Sequence, residues 1–290
     1  MSGATAESPR PDRLPQHGLG AQGFLPNLAR RLATALVALP ALLAVFFLGP
    51  AWLGLTIVAA ALVVGLFEFY GLLRARGIRP MRAVGLLLAA AFFLDVASPG
   101  PVPFAPLGAL LLLTFTLWRG GDIESVSCAA ATLLGSVYVG ALGGTIGALL
   151  LLPPAGDRAW RVTLLLTIQV FSDSLAFFVG HGIGRHRLAP AVSPGKSVEG
   201  ALGGLFGGVL GALAVRHLGL PHLGLSHAVA LGAAVAAMGI VGDLDESLLK
   251  RWAGVKDSGA LFPGHGGMLD RLDSLLFGAP VLYYYFQYAR

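Results

Sequence analysis

Charge is scarce in this chain of 290 residues: Asp, Glu, Lys and Arg make up 12%, while 56% is hydrophobic and the mean hydropathy is +0.76. That balance excludes an ordinary water-soluble domain and points to a membrane. Cysteine is nearly absent. Cys128 stands alone in an apolar run, which excludes an internal disulfide and a cysteine-based metal site. Clusters of basic residues are missing too, for the +5 formal charge is spread between apolar runs, so nucleic acid is not an expected partner. The first 30 residues lack a compact apolar region followed by a small-residue cleavage site, and Glu7 and Asp12 interrupt their basic residues. They read as a disordered cytoplasmic tail rather than a signal peptide or a mitochondrial presequence.

What the chain has in abundance is apolar runs near the ~20 residues needed to cross a bilayer. Spans are expected near 33–49, 51–73, 83–98, 102–118, 127–151, 161–181, 198–215, 224–242 and 275–289. Lipid offers no partner to backbone amides, so the spans should be helices and the fold class all-α, a polytopic bundle of about nine. The expected organisation is a tail over 1–30, amino-terminal spans over 31–160 and a carboxy-terminal catalytic region over 161–290. With the amino terminus inside, sixteen of the 20 Lys and Arg fall inside, and only Arg158, Arg161, Arg216 and Arg290 outside. The polar connections 181–197 and 243–274 then share the cytoplasmic side of a cell (inner) membrane.

Four segments carry candidate chemistry. If the eighth span continues as helix through "GDLDESLLKR", Asp243, Glu246, Ser247 and Lys250 fall at i, i+3, i+4 and i+7 on one stripe. An ordinary helix end with a Glu246–Lys250 surface pair explains the same residues. In "FPGHGGMLDRLDS", Pro263, Gly264, Gly266 and Gly267 forbid regular helix and bare the amides around His265, while Asp270 and Asp273 precede the last span, where acids also favour a helix start. Asp173 lies eight residues before His181, hence ~12 Å inside the helix end, where inserting a charge costs roughly 2.5–3.5 kcal/mol or more. Glu68 and Asp95 are weaker cases of the same kind. "GRHRLAPAVSPGKSVEG" is basic and glycine-rich and leads into a helix at Ser197, an anion site with Arg185, Arg187 and Lys196 as phosphate contacts. It is not a P-loop, because Pro190 stands where the first glycine belongs. Glycine rows at 200, 204 and 208, at 203, 207 and 211, and at 140, 143, 144 and 147 are expected to be close-packing faces.

"SLLKRWAGVKDSGALFPGHGGMLDRLD", Ser247 to Asp273, resembles the signature of the phosphatidate cytidylyltransferases (CDP-diacylglycerol synthases), with every defining position filled. "DSLAFFVG", "RHRLAPAVSPGKSVEG" and "GDLDES" resemble further family segments in the expected order. His181 departs from the Lys or Arg frequent there in the family, and Phe177 from the Tyr. The resemblance implies condensation of CTP with phosphatidic acid to CDP-diacylglycerol and pyrophosphate, with Mg2+ as cofactor and a homodimer as assembly. It implies Asp243 and Asp270 as metal ligands and Asp173 as a further carboxylate of the site. Lys250, Arg251, Lys256, His265 and Arg271 would orient phosphates, and Lys196 and Ser197, with Arg185, would hold a substrate. Ser247, Asp257, Gly266, Gly267 and Asp273 complete the signature. Two other readings stay open on the residues alone. An ion- or proton-coupled transporter would use Asp173 and Asp243 as ion sites but should show inverted repeats, and none is visible. Another CTP-dependent membrane lipid phosphotransferase is the second; the Asp-Gly-x-x-Ala-Arg motif of the CDP-alcohol phosphatidyltransferases is absent.

Overall fold

The computed structural model describes residues 40–289, apart from 119, 121, 260 and 262–265. The expected tail and the first residues of the first span lie outside the described residues, as does His265. Helix runs over 40–48 (α1), Ala51–Ala75 (α2), Arg82–Ala97 (α3), Phe104–Trp118 (α4) and Ile123–Gly135 (α5). A π-helical turn at Ser136–Ala141 leads α5 into Leu142–Leu151 (α6). Then come Arg158–Ile183 (α7), Val198–Gly219 (α8), Leu225–Ala253 (α9) and Leu269–Tyr288 (α10). Five helical stretches, Ala51–Ala75, Ile123–Leu151, Ala155–Ile183, Val198–Gly219 and Leu225–Ala253, are long and apolar enough to cross a membrane. The chain is therefore a multi-pass helical bundle of the membrane type.

Local chemistry sets the helix ends that matter to the site. Ser197 caps α8, its hydroxyl accepting from Gly200 N at 3.1 Å, one residue from where the sequence predicts that helix to begin. At the other end of α9, Lys250 and Arg251 fill the last turn and Gly254 closes it in the left-handed region at φ 78°. The segment before α8, expected as a loop, is instead a short antiparallel hairpin, Arg187–Ala189 (β1) with Ser193–Ser197 (β2). It is the one exception to an all-α fold among the described residues. Glu199 anchors it, accepting from Arg185 N, His186 N and His186 Nδ1, the last at 2.6 Å.

Close packing follows the glycines. A Cβ on Gly211 would stand 2.9 Å from the Thr167 carbonyl oxygen of α7, and one on Gly208 would stand 2.6 Å from Ala236 of α9. Gly140 and Gly144 bring the π turn and α6 against α3 in the same way. Gln169, an amide no sequence pattern singled out, is buried in α7 and donates to the carbonyls of Val235 and Ser274, tying α7 to α9 and α10.

Three arginines bind carbonyls at the end of the bundle where α7 begins and α8 finishes. Arg158 donates to Gly49 O at 2.7 Å and Arg216 to Leu223 O at 2.7 Å. Arg161, 1% exposed, donates to Leu149, Leu152 and Pro154.

Candidate functional site

The site lies at the opposite end, where α7 runs out into the hairpin and α9 meets the start of α10. Continuation of α9 to Ala253 places Asp243, Glu246, Ser247 and Lys250 along one face, as their spacing predicts. Ser247 Oγ lies 3.4 Å from Asp243 Oδ1, and Lys250 Nζ 2.6 Å from Glu246 Oε2. The surface-pair reading fails on burial. Glu246 is 0% exposed and the Lys250 side chain 12%, and the ammonium also reaches Asp270 Oδ1 at 2.5 Å. One lysine thus bridges two carboxylates from two helices. A buried ion network costs desolvation that its own attraction scarcely repays; geometry kept at such cost suits a site that handles charge.

Asp270 sits in the first turn of α10, but more than the helix dipole holds it. Its Oδ2 accepts from Gly267 N at 2.7 Å, Ser258 Oγ at 2.9 Å and Ser258 N at 3.1 Å. Partial burial alone would raise its pKa, yet Lys250 and these amides hold it below the ordinary carboxylate value. Gly266 adopts φ 79°, and a Cβ there would meet Asp270 Oδ2 at 2.5 Å, so both its torsion and its lack of side chain let the loop close on the carboxylate. The glycines expected to contact substrate are therefore packed on acids of the protein itself. Asp273, mostly buried, accepts from Ser274 N at 2.6 Å and feels the charges of Asp243, Lys250 and Asp173.

A second group of charges opens on a cavity of about 570 Å³ between α7, the hairpin, α8 and α9. Asp173, Arg187, Lys196, Ser197 and Asp243 line it, together with Phe177 and His181, whose rings stack 5.9 Å apart at 10°. Asp173 is exposed toward this space rather than sealed among apolar neighbours. Lys196 Nζ lies 2.6 Å from Asp243 Oδ2, an ion pair whose angles fall outside a hydrogen bond. Hairpin and α9 are joined by that contact. Asp243 lies within electrostatic reach of both Asp173 and Asp273.

The remaining expected residues sit farther out. Arg185, Arg251, Lys256, Asp257 and Arg271 are exposed and none lines the cavity, and Ser247 is half-buried beside Asp243. Two acids that the sequence marked only weakly are both helix caps. Asp95 accepts from Phe104 N and Ala105 N at the start of α4, at 3.0 and 2.7 Å. Glu68 accepts from Met268 N and Leu269 N at the start of α10, at 3.0 and 2.8 Å.

Carboxylate oxygens are the hard donors that Mg2+ takes, and Asp173 and Asp243 face one cavity, so the donor chemistry fits a divalent cation. Among the described residues no three His, Cys, Asp or Glu form a ready-made cluster. Mg2+ keeps several waters and is commonly bound through one or two carboxylates and the phosphates of its substrate.

Residues 29–289 match the sequence profile described as the cytidylyltransferase family. The chain belongs to that family. Among its curated relatives, the phosphatidate cytidylyltransferase of Synechocystis is 32% identical over 283 residues, covering 88% of this chain and 95% of that one. Those of Thermotoga maritima and Pseudomonas aeruginosa are each 35% identical, over 270 and 276 residues, covering 90% and 88% of this chain and 97% and 95% of theirs. Membership of the cytidylyltransferase family accounts for an acid-rich, lysine-bridged end on a membrane bundle, because nucleotidyl transfer brings several phosphates and generally a divalent metal to one place. It gives no support to the transporter reading.

Proposed function

We propose that this protein condenses CTP with phosphatidic acid, forming CDP-diacylglycerol and releasing pyrophosphate in a cell membrane. One observation carries the reading beyond family membership: Lys196–Asp243 and Glu246–Lys250–Asp270 gather acids and ammonium groups from the hairpin, α9 and α10 at one end of an otherwise apolar bundle. An oxygen of the phosphatidate phosphate attacks the α-phosphorus of CTP, and the bond to the departing pyrophosphate breaks. The nucleophile is already anionic, so no strong general base is required. Neutralising phosphate charge and aligning the two anions is the main task. Lys196, with Arg185 and Arg187, would hold one phosphate group at the cavity, which Ser197, the cap of α8, also lines. Lys250, Arg251, Lys256, His265 and Arg271 would orient the others, with Asp257 and Asp273 setting the local field. Asp243 would hold Mg2+ with Asp173 facing the same cavity, and Asp270, whose oxygens meet Lys250, Ser258 and Gly267 here, would be the second ligand that the resemblance implies; when bound, the ion supplies Lewis-acid stabilisation at the phosphate oxygens.

Nine crossings, with the amino terminus and this site in the cytoplasm, are inferred from the apolar runs and from the excess of basic residues assigned inside; five of the described helices are long and apolar enough to cross. A cysteine at Asp257, in a Cys128→Ala background, should resist an impermeant thiol reagent added outside intact cells; labelling there contradicts the orientation. The resemblance further implies a homodimer, which the mass of the detergent-solubilised protein checks. For the activity, the purified protein is given CTP, phosphatidic acid and Mg2+, and pyrophosphate is measured. Release that depends on both substrates is expected; release from CTP without lipid, or none at all, refutes the assignment.

A further inference from the structure

Glu68 belongs by sequence to the apolar α2, some 190 residues before the loop it touches. Seven residues separate it from Ala75 at the end of α2, about 10 Å along the axis. Its two oxygens take in the first free amides of α10, and Oε2 also lies 3.0 Å from Ser258 Oγ. That same hydroxyl is 2.9 Å from Asp270 Oδ2. A serine hydroxyl carries one proton, so it serves one of the two carboxylates at a time. Glu68 keeps its two amides whichever way the proton points, which leaves Ser258 free to donate to Asp270. A Cβ on Gly267 would collide with Glu68 Oε2 and Ser258 Oγ, so the loop is shaped around this contact. Cost points the same way. A carboxylate within an apolar helix is expensive, and a helix start is usually capped by a neighbouring Ser, Thr, Asp or Asn; α10 has no such cap, its N-cap being Met268.

We propose that Glu68 is a positioning residue for the reaction: from α2 it holds the amides of Met268 and Leu269, leaves the Ser258 proton to Asp270, and through the first turn of α10 sets the orientation of the Asp270 carboxylate. The inference deepens the proposed function and rests on it for its kinetic part. The test compares Glu68→Gln, Ser258→Ala and the double variant in the full-length protein in detergent. Glu68→Gln keeps the size but replaces one accepting oxygen with an NH2 group, which cannot take in a backbone N–H. Hydrogen exchange of the amides of Ser258 and Gly267 to Leu269 should quicken about tenfold or more, and kcat should fall by a similar factor, about 1.4 kcal/mol. Because both residues act through Asp270, the losses should be non-additive in the double variant. Ser258→Ala leaves both α10 amides on Glu68, so it should lower kcat with an almost unchanged melting temperature, and it decides the matter if Glu68→Gln does not fold. Unchanged exchange in Glu68→Gln overturns the proposal. So does faster exchange with unchanged kcat, the result expected of a cap that serves stability alone, and so does simple additivity. A wild-type protein inactive on CTP and phosphatidic acid refutes the proposed function instead, while the exchange measurement still decides whether Glu68 orders the Asp270 turn.

Discussion

Asp95 and Asp243 both interrupt apolar helices, and the molecule treats them in opposite ways. Each oxygen of Asp95 takes one backbone amide at the start of α4, so its donors are neutral. Asp243 instead meets Lys196 from another element, faces the cavity, and acts on other acids. An acid in a membrane helix thus has two uses: neutral backbone donors absorb its charge where it builds the fold, whereas a charged side chain offsets it where it is available for chemistry. The difference lies in the partners, neutral backbone amides for Asp95 and an ammonium group for Asp243.

The sharpest way to break this contrast is to remove divalent cations. Excess chelator should abolish turnover and leave the bundle folded, because Asp95 and its like need no ion; full turnover under chelation contradicts the metal reading. Next is Asp270→Asn, which keeps size and removes charge. More than ~100-fold loss of activity is expected in a protein that still inserts and purifies, beyond what a helix-dipole contribution of ~0.3–1 kcal/mol can produce. Retention of half the activity would remove Asp270 from the site. Lys196→Ala should weaken substrate use by about tenfold, in KM more than in kcat, if the ammonium holds a phosphate; a change confined to stability would return it to Asp243 alone. Asp95→Asn should be the mildest: about 0.5–2 kcal/mol of stability, read by thermal unfolding, with specific activity unchanged.

Much of the fold was legible because its signals are local. Apolar runs mark the helices, and the spacing of Asp243, Glu246, Ser247 and Lys250 is enough to place them on one face of α9. What escaped is contact between distant residues. Nothing near Lys196 in the chain says that it meets Asp243, and the burial of Glu246 depends on α10 covering a helix face that reads as exposed. The hairpin was hidden because "SPGKS" carries no strand alternation; its register comes from Glu199 gripping the amides beside it. Glu68 had a visible signal, an acid in an apolar run, but its partner lies at the far end of the sequence. His265, central to the signature, lies outside the described residues.

The arginine clasps at the α7 start and α8 end have a consequence for ionic strength. Arg158, Arg161 and Arg216 hold neutral carbonyl oxygens, contacts that dissolved ions scarcely screen. At the other end, Lys196 and Asp243 keep 25% and 37% of their side chains exposed, and the Debye length shrinks from roughly 30 Å at 0.01 M to 3 Å at 1 M. Salt therefore acts more on the Lys196–Asp243 end than on the clasps, although Asp157, 3.1 Å from His222 and 4.0 Å from Arg161, gives the arginine end ion pairs of its own. Rising ionic strength should weaken the Lys196–Asp243 pair that joins the hairpin to α9, while the carbonyl contacts of the three arginines stay in place.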